Sequence, residues 1–193
     1  NLSRMITDQN NELKTGQWNK KMGTLNQGKT LGIIGLGTIG KRLVEVSKGF
    51  RFKIIACDFK KDSAFAKLHN IEYCDLGDLL SRSDIVSIHL NLTQQTENLI
   101  NEQKLNLMKK KSILINTSRG EVIDENALFR LLKNKQILGA GLDVFKNEPY
   151  SGKLLNLKNV IATPHIGSYA LELRNKMEIE SVQNLILGLK SIE

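Results

Sequence analysis

Leu31-Gly32-Ile33-Ile34-Gly35-Leu36-Gly37-Thr38-Ile39-Gly40-Lys41-Arg42 is an apolar run of strand length that enters three glycines spaced G-x-G-x-x-G. Each glycine meets a separate demand: Gly35 permits a tight turn, Gly37 lets backbone approach a pyrophosphate, and Gly40 lets helix and strand pack closely. Beyond them Ile39, Leu43, Val46 and Phe50 recur at helical steps, which predicts a crossover helix with that face buried. A second apolar run, Lys53–Cys57, leads into Asp58, 23 residues after Gly35. That is close to the spacing of about 20 at which an acid holds the ribose hydroxyls of a dinucleotide. An acid there also repels a 2′-phosphate, so the expected cofactor is NAD ahead of NADP.

The same rhythm continues along the chain. Further strands are read near Ile71–Tyr73 and at Asp84–His89, Ser112–Asn116, Gly139–Val144 and Val160–Ala162, with helical patterns between them. Most are continuously apolar, as strands covered on both faces must be. The expected architecture is α/β, a three-layer doubly wound parallel sheet of the Rossmann type. Ile179, Val182, Ile186 and Leu189 predict a second buried stripe on a long C-terminal helix, and Leu2, Met5, Ile6 and Leu13 a helix ending near Gly16. With no initiator methionine and a helix already in progress at Asn1, the chain reads as a fragment of a two-domain protein.

Ligands of such sheets bind beyond the carboxyl ends of the strands. The polar residues that follow strands are Asp58, His89, Thr117-Ser118-Arg119-Gly120, Asp143, Glu148 and His165. They include an arginine for a carboxylate, a histidine that exchanges protons near neutrality, and a carboxylate to orient it. This equipment suits carbonyl–alcohol interconversion.

Composition bounds the alternatives. The 28 basic and 20 acidic residues give a net charge of +8, which would attract nucleic acid, an anionic cofactor or an anionic substrate alike. No apolar run approaches the roughly 18 residues of a membrane span. Two cysteines are too few for a disulfide framework or a zinc site, so no metal is expected and a reducing, cytoplasmic setting is.

Several segments together resemble the nucleotide-binding domain of D-isomer-specific 2-hydroxyacid dehydrogenases, phosphoglycerate dehydrogenases in particular. They are Gly35–Gly40 with Asp58, Ile115–Asp124, Gly141–Phe145 leading to Glu148-Pro149, and Thr163–Ser168. The resemblance implies that Arg119 binds the substrate carboxylate, that His165 is the acid/base and that Glu148 pairs with it. It implies that Thr38 and Ile39 offer amides to the pyrophosphate, that Asp143 holds the nicotinamide carboxamide, and that Thr117 to Arg119 line the nicotinamide side. His89 and Leu90, with Gly167 beside His165, complete the expected cofactor wall. His89 lies in a stretch where the family has histidine-x-proline and this chain has Asn91.

As one NAD-binding domain over 1–193, the chain would use 1–16 as an interdomain and dimerisation helix. The 168–190 helix would return to a substrate domain. The implied activity is hydride transfer between NAD and a small D-2-hydroxy or 2-oxo acid, 3-phosphoglycerate among the candidates, in a homodimer without nucleic-acid or membrane partners. Two other readings stand beside it: an NAD-sensing protein like the corepressors that share this fold, and a nucleic-acid binder drawn by the positive charge. Asp143 has the alternative of capping a turn, Glu148 that of a solvated loop acid.

Overall fold

The computed structural model describes residues 1–190. Seven parallel strands form one sheet: β1 (Thr30–Ile34), β2 (Lys53–Cys57), β3 (Glu72–Tyr73), β4 (Ile85–Ile88), β5 (Ile113–Asn116), β6 (Gly139–Leu142) and β7 (Val160–Ala162). Their order, β3-β2-β1-β4-β5-β6-β7, reverses direction between β1 and β4. This is the doubly wound arrangement, and the crevice beyond the β1 and β4 carboxyl ends is its binding position. All seven expected strands are present, with ends shifted by two residues or fewer.

Helices α2 (Thr38–Val46) and α3 (Ser63–Leu68) follow β1 and β2. Together with Leu31, Ile33 and Ala56 from the strands, their Val44 and Ala66 form one apolar cluster. The larger cluster joins Ile34, Ile55, Val86, Ile88 and Leu114 to α4 (Leu76–Arg82), α5 (Glu102–Leu105) and α6 (Glu125–Lys133). The alternation of β1 between the two clusters makes the three layers. In α6, Leu128, Leu131 and Leu132 are buried, each contributing about 1.5–3 kcal/mol by leaving water.

Helix α2 departs from the expected phase. Ile39, Val46 and Phe50 are 67%, 61% and 50% exposed, and the buried side is Gly40, Val44 and Ser47 with Leu43 beside it. The cause is Gly40, where an added Cβ would lie 2.3 Å from the Gly35 carbonyl oxygen. The helix must present its glycine to the strand, and this rotates the apolar set by about one residue. The helix ends at Val46, so Phe50 falls in a separate turn of 3-10 helix.

The ends of the chain also differ from expectation. A 3-10 turn at Leu2–Arg4 gives way to α1 (Ile6–Lys14) through Met5, which adopts a left-handed conformation (φ 50°), so residues 1–16 are not one helix. Leu2 packs over Gly139 and Gly141, while Ile6 and Leu13 are exposed. Helix α7 (Leu171–Lys190) is long as expected, but no described side chain in it is buried, and the stripe of Ile179, Val182, Ile186 and Leu189 faces solvent. No described helix is long and apolar enough to cross a membrane.

Candidate active site

Helices α3, α4, α5 and α6 each begin at an Asp or Asn whose side chain accepts a hydrogen bond from a first-turn amide. Helix α2 begins at Gly37, and no described side chain caps it. Its first turn therefore presents uncapped amides at Thr38 and Ile39, both exposed, with the positive end of the helix dipole behind them. An added Cβ at Gly37 would meet nothing within 4 Å, whereas at Gly35 (φ 90°) it would lie 2.5 Å from the His89 carbonyl oxygen. Gly35 and Gly40 thus serve chain packing, and Gly37 opens onto space. This cradle fits the pyrophosphate of a dinucleotide.

Asp58 stands at the end of β2 as expected, where it also braces the glycine turn. Its Oδ2 accepts from Leu36 N–H at 2.6 Å and its Oδ1 from Lys60 N–H at 2.8 Å. The Gly35 N–H donates to the Cys57 carbonyl at 2.9 Å. On the β4 side, Leu90 lines the turn at Gly35 and His89 is half-buried, its Nε2 2.9 Å from Ser87 Oγ. Burial holds the His89 pKa below the usual histidine value, which favours the neutral ring.

The other half of the site lies beyond β5, β6 and β7. His165 Nδ1 and Glu148 Oε2 are 2.9 Å apart, and Glu148 Oε1 accepts from Phe145 N–H at 3.0 Å. The bond from His165, and next the one from Phe145, hold the Glu148 carboxyl below its usual pKa. Glu148 is exposed, but its two oxygens are engaged by His165 and by the Phe145 amide, which aim the carboxylate at the ring.

His165 itself has a left-handed backbone (φ 52°), uncommon for a residue with a side chain. Asp143 fastens the segment around it. Its Oδ1 accepts from Thr163 Oγ1 at 2.5 Å and Ile166 N–H at 2.9 Å, and its Oδ2 from Gly167 N–H at 2.9 Å. Desolvation raises the Asp143 pKa, but these bonds outweigh it and leave the group lowered.

Arg119 is exposed at the end of the loop that follows β5, its Nη1 2.6 Å from the Ser118 carbonyl. The organiser of that loop is Asn116, a residue outside the set expected from the sequence. Asn116 is 1% exposed. Its Oδ1 accepts from the Ser118 amide at 3.0 Å and hydroxyl at 2.8 Å, and its Nδ2 donates to the Arg119 carbonyl at 2.9 Å. The available signal was an amide side chain closing an otherwise apolar strand. Thr117 points outward while Ser118 is buried. Gly120 brings the Arg119 loop against the Glu148 loop, since a Cβ there would lie 2.0 Å from the Phe145 carbonyl carbon. An apolar cavity of about 530 Å³, lined by Phe145, Pro149, Tyr150 and Leu155, opens beside the Glu148–His165 pair.

The sheet thus carries a dinucleotide cradle at β1, β2 and β4, and an Arg, Glu and His set at β5 to β7. These features define a nucleotide-binding domain of the oxidoreductase type. The model of the D-isomer specific 2-hydroxyacid dehydrogenase NAD-binding domain matches residues 1–167, and the chain belongs to that family.

Among its relatives, a glyoxylate reductase of Thermococcus litoralis is 43% identical over 195 residues, covering 96% of this chain and 59% of the relative. A hydroxypyruvate reductase of Thermotoga maritima is 41% identical over 179 residues, covering 90% of this chain and 58% of the relative. A solved D-lactate dehydrogenase of Aquifex aeolicus, in complex with NAD and lactic acid, superposes with a TM-score of 0.90 at 30% identity. It covers 98% of this chain and 61% of that one. The chain therefore spans a little over half the length of these relatives.

Proposed function

We propose that this chain is the NAD-binding part of an enzyme that reduces a small 2-oxo acid to the D-2-hydroxy acid, reversibly, with glyoxylate or hydroxypyruvate as the substrate. The observation that carries the proposal is the His165–Glu148 pair at 2.9 Å, with Arg119 on a loop whose Gly120 packs against the backbone of the Glu148 loop at Phe145. The named relatives favour glyoxylate and hydroxypyruvate over the phosphorylated acid suggested by resemblance alone.

Bound NAD would supply or accept the hydride at substrate C2. Thr38 and Ile39 amides would hold the pyrophosphate, Asp58 the adenosine ribose, and Thr117, Ser118 and Gly167 the nicotinamide end. Asp143 would have one acceptor position left for the carboxamide after its three internal bonds. Arg119 would fix the substrate carboxylate in a charge-assisted fork and so orient C2. His165 Nε2 would give a proton to the carbonyl oxygen in reduction and remove the hydroxyl proton in oxidation. Glu148 on Nδ1 would hold the ring in the orientation and tautomer that present Nε2 to the substrate.

The test is a spectrophotometric screen of the full-length protein with NADH and with NADPH against glyoxylate, hydroxypyruvate, pyruvate and phosphohydroxypyruvate. Turnover of one of the first two with NADH is expected, and His165→Ala should lower kcat by about 100-fold or more while NAD affinity holds. The 193-residue chain should bind NAD without turnover, because orienting the substrate and excluding water call for a second, closing domain. Absence of NADH oxidation with all four acids would overturn the proposal.

A further inference from the structure

Cys57 and Cys74 take no part in the site above. Cys57 closes β2, and Cys74 follows β3 directly. The two strands pair in parallel with Ile55 opposite Glu72 and Ala56 opposite Tyr73, and Cys74 N–H donates to the Ala56 carbonyl at 3.0 Å. One step along this ladder sets Cys57 opposite Cys74. Residues in register on parallel neighbours emerge on the same face. The packing agrees, since both cysteines rest against the larger cluster while Ala56 and Tyr73 belong to the other.

Neighbouring strands lie about 4.7–4.9 Å apart, inside the range of about 4.4–6.8 Å between Cα atoms that a disulfide spans. Both thiols are free, and both are only partly buried, so a small reagent reaches them.

We propose that Cys57 and Cys74 are a paired modification site that closes to a disulfide on meeting a low-molecular-weight disulfide such as oxidised glutathione, and that closure weakens the neighbouring dinucleotide cradle. One cysteine thiolate attacks a glutathione sulfur, forming a mixed disulfide and expelling one glutathione thiolate. The second cysteine thiolate attacks the protein sulfur of that mixed disulfide and expels the other. Two cysteines are oxidised, one glutathione disulfide is reduced, and the two cysteine protons end on two glutathione thiols.

The link to the cradle is short. The Cys57 carbonyl accepts the Gly35 N–H, and the next residue, Asp58, holds Leu36 N–H at 2.6 Å. Drawing the two sulfurs to a bond length of about 2.05 Å re-aims the residue that anchors the glycine turn. This second half of the proposal rests on the NAD-binding reading; the disulfide does not. Burial raises both thiols, with Asp58 and Asp75 adding to the effect at Cys57, so exchange is run at pH 9 to populate thiolate.

The full chain is incubated with oxidised glutathione, alkylated, and digested with trypsin. The expected product joins peptide Ile54–Lys60 to peptide Leu68–Arg82 within one chain. In an undigested portion of the oxidised chain, calorimetry should show the Kd for NAD raised by about fivefold, on the order of one weakened hydrogen bond. Dithiothreitol should reverse both, and Cys74→Ser should show neither. Separate glutathione adducts on each cysteine, unreacted thiols, or links between chains overturn the pairing. A joined peptide with NAD affinity unchanged overturns the coupling. Reduced protein that fails to bind NAD at all refutes the functional reading and leaves the joined peptide as an independent result.

Discussion

Asn116, Glu148 and His89 show how single side chains fix the site. Asn116 satisfies three partners from a buried position, so Asn116→Ala leaves buried polar groups unpaired at about 1–3 kcal/mol each. Chemical denaturation should show that loss, and the full-length variant should show a raised KM for the 2-oxo acid because Arg119 loses its anchor. Glu148→Gln keeps an acceptor for Phe145 N–H and removes the charge beside His165. A fall in kcat of about tenfold or more with NAD affinity unchanged is expected from steady-state kinetics and calorimetry; equal kcat would count against the pair.

His89 gives a pH dependence. Its folded pKa is depressed by burial, so the unfolded chain binds more protons between the folded and unfolded values. The stability it contributes is complete above the unfolded value and falls as pH drops through the window below it. Comparing melting temperatures of wild type and His89→Gln from pH 7 to 5 isolates this effect: the variant should lose less. These residues differ in how visible they were. His165, Arg119 and Glu148 were legible because they follow strands in a recognisable frame. The bonds of Asp58, Asn116 and Asp143 to backbone amides were not, because which amide a side chain meets depends on loop paths that no spacing encodes.

Among the elements, the strands were the legible part, since a doubly covered parallel strand must be apolar at every position. Helix α2 was harder, because its packing face is chosen by a residue with no side chain. Gly40 and Gly37 provide the test. Gly40→Ala places a methyl against the Gly35 carbonyl and should cost stability, measurable as a lower melting temperature. Gly37→Ala meets open space and should fold as well as the parent, but should lose NAD affinity as the methyl fills the cradle. If Gly37→Ala binds NAD like the parent, the pyrophosphate does not sit there. The break at Met5 was equally hidden, because a left-handed residue inside an amphipathic pattern leaves the pattern intact.

Across the whole molecule, the proposed function makes residues 30–90 the cofactor side and residues 113–167 the proton-transfer side of one crevice. The proposed homodimer is tested by sedimentation of the full-length protein at tens of micromolar, where a two-subunit species is expected and a clean monomer would refute it. Helix α7 has a different consequence. Its 20 residues bury no described side chain, and its links include the Lys176–Glu180 pair at 3.7 Å and Arg174 over the Tyr169 ring. Most of a helix's stability in a protein comes from packing an apolar face, and α7 buries no described side chain to supply it. Melting of the 193-residue chain, followed by far-ultraviolet dichroism, should therefore be two-phased. An early, gradual loss of helical signal from α7 should precede the sharp transition of the sheet, and trypsin should clip at Arg174 and Lys176 well below that transition.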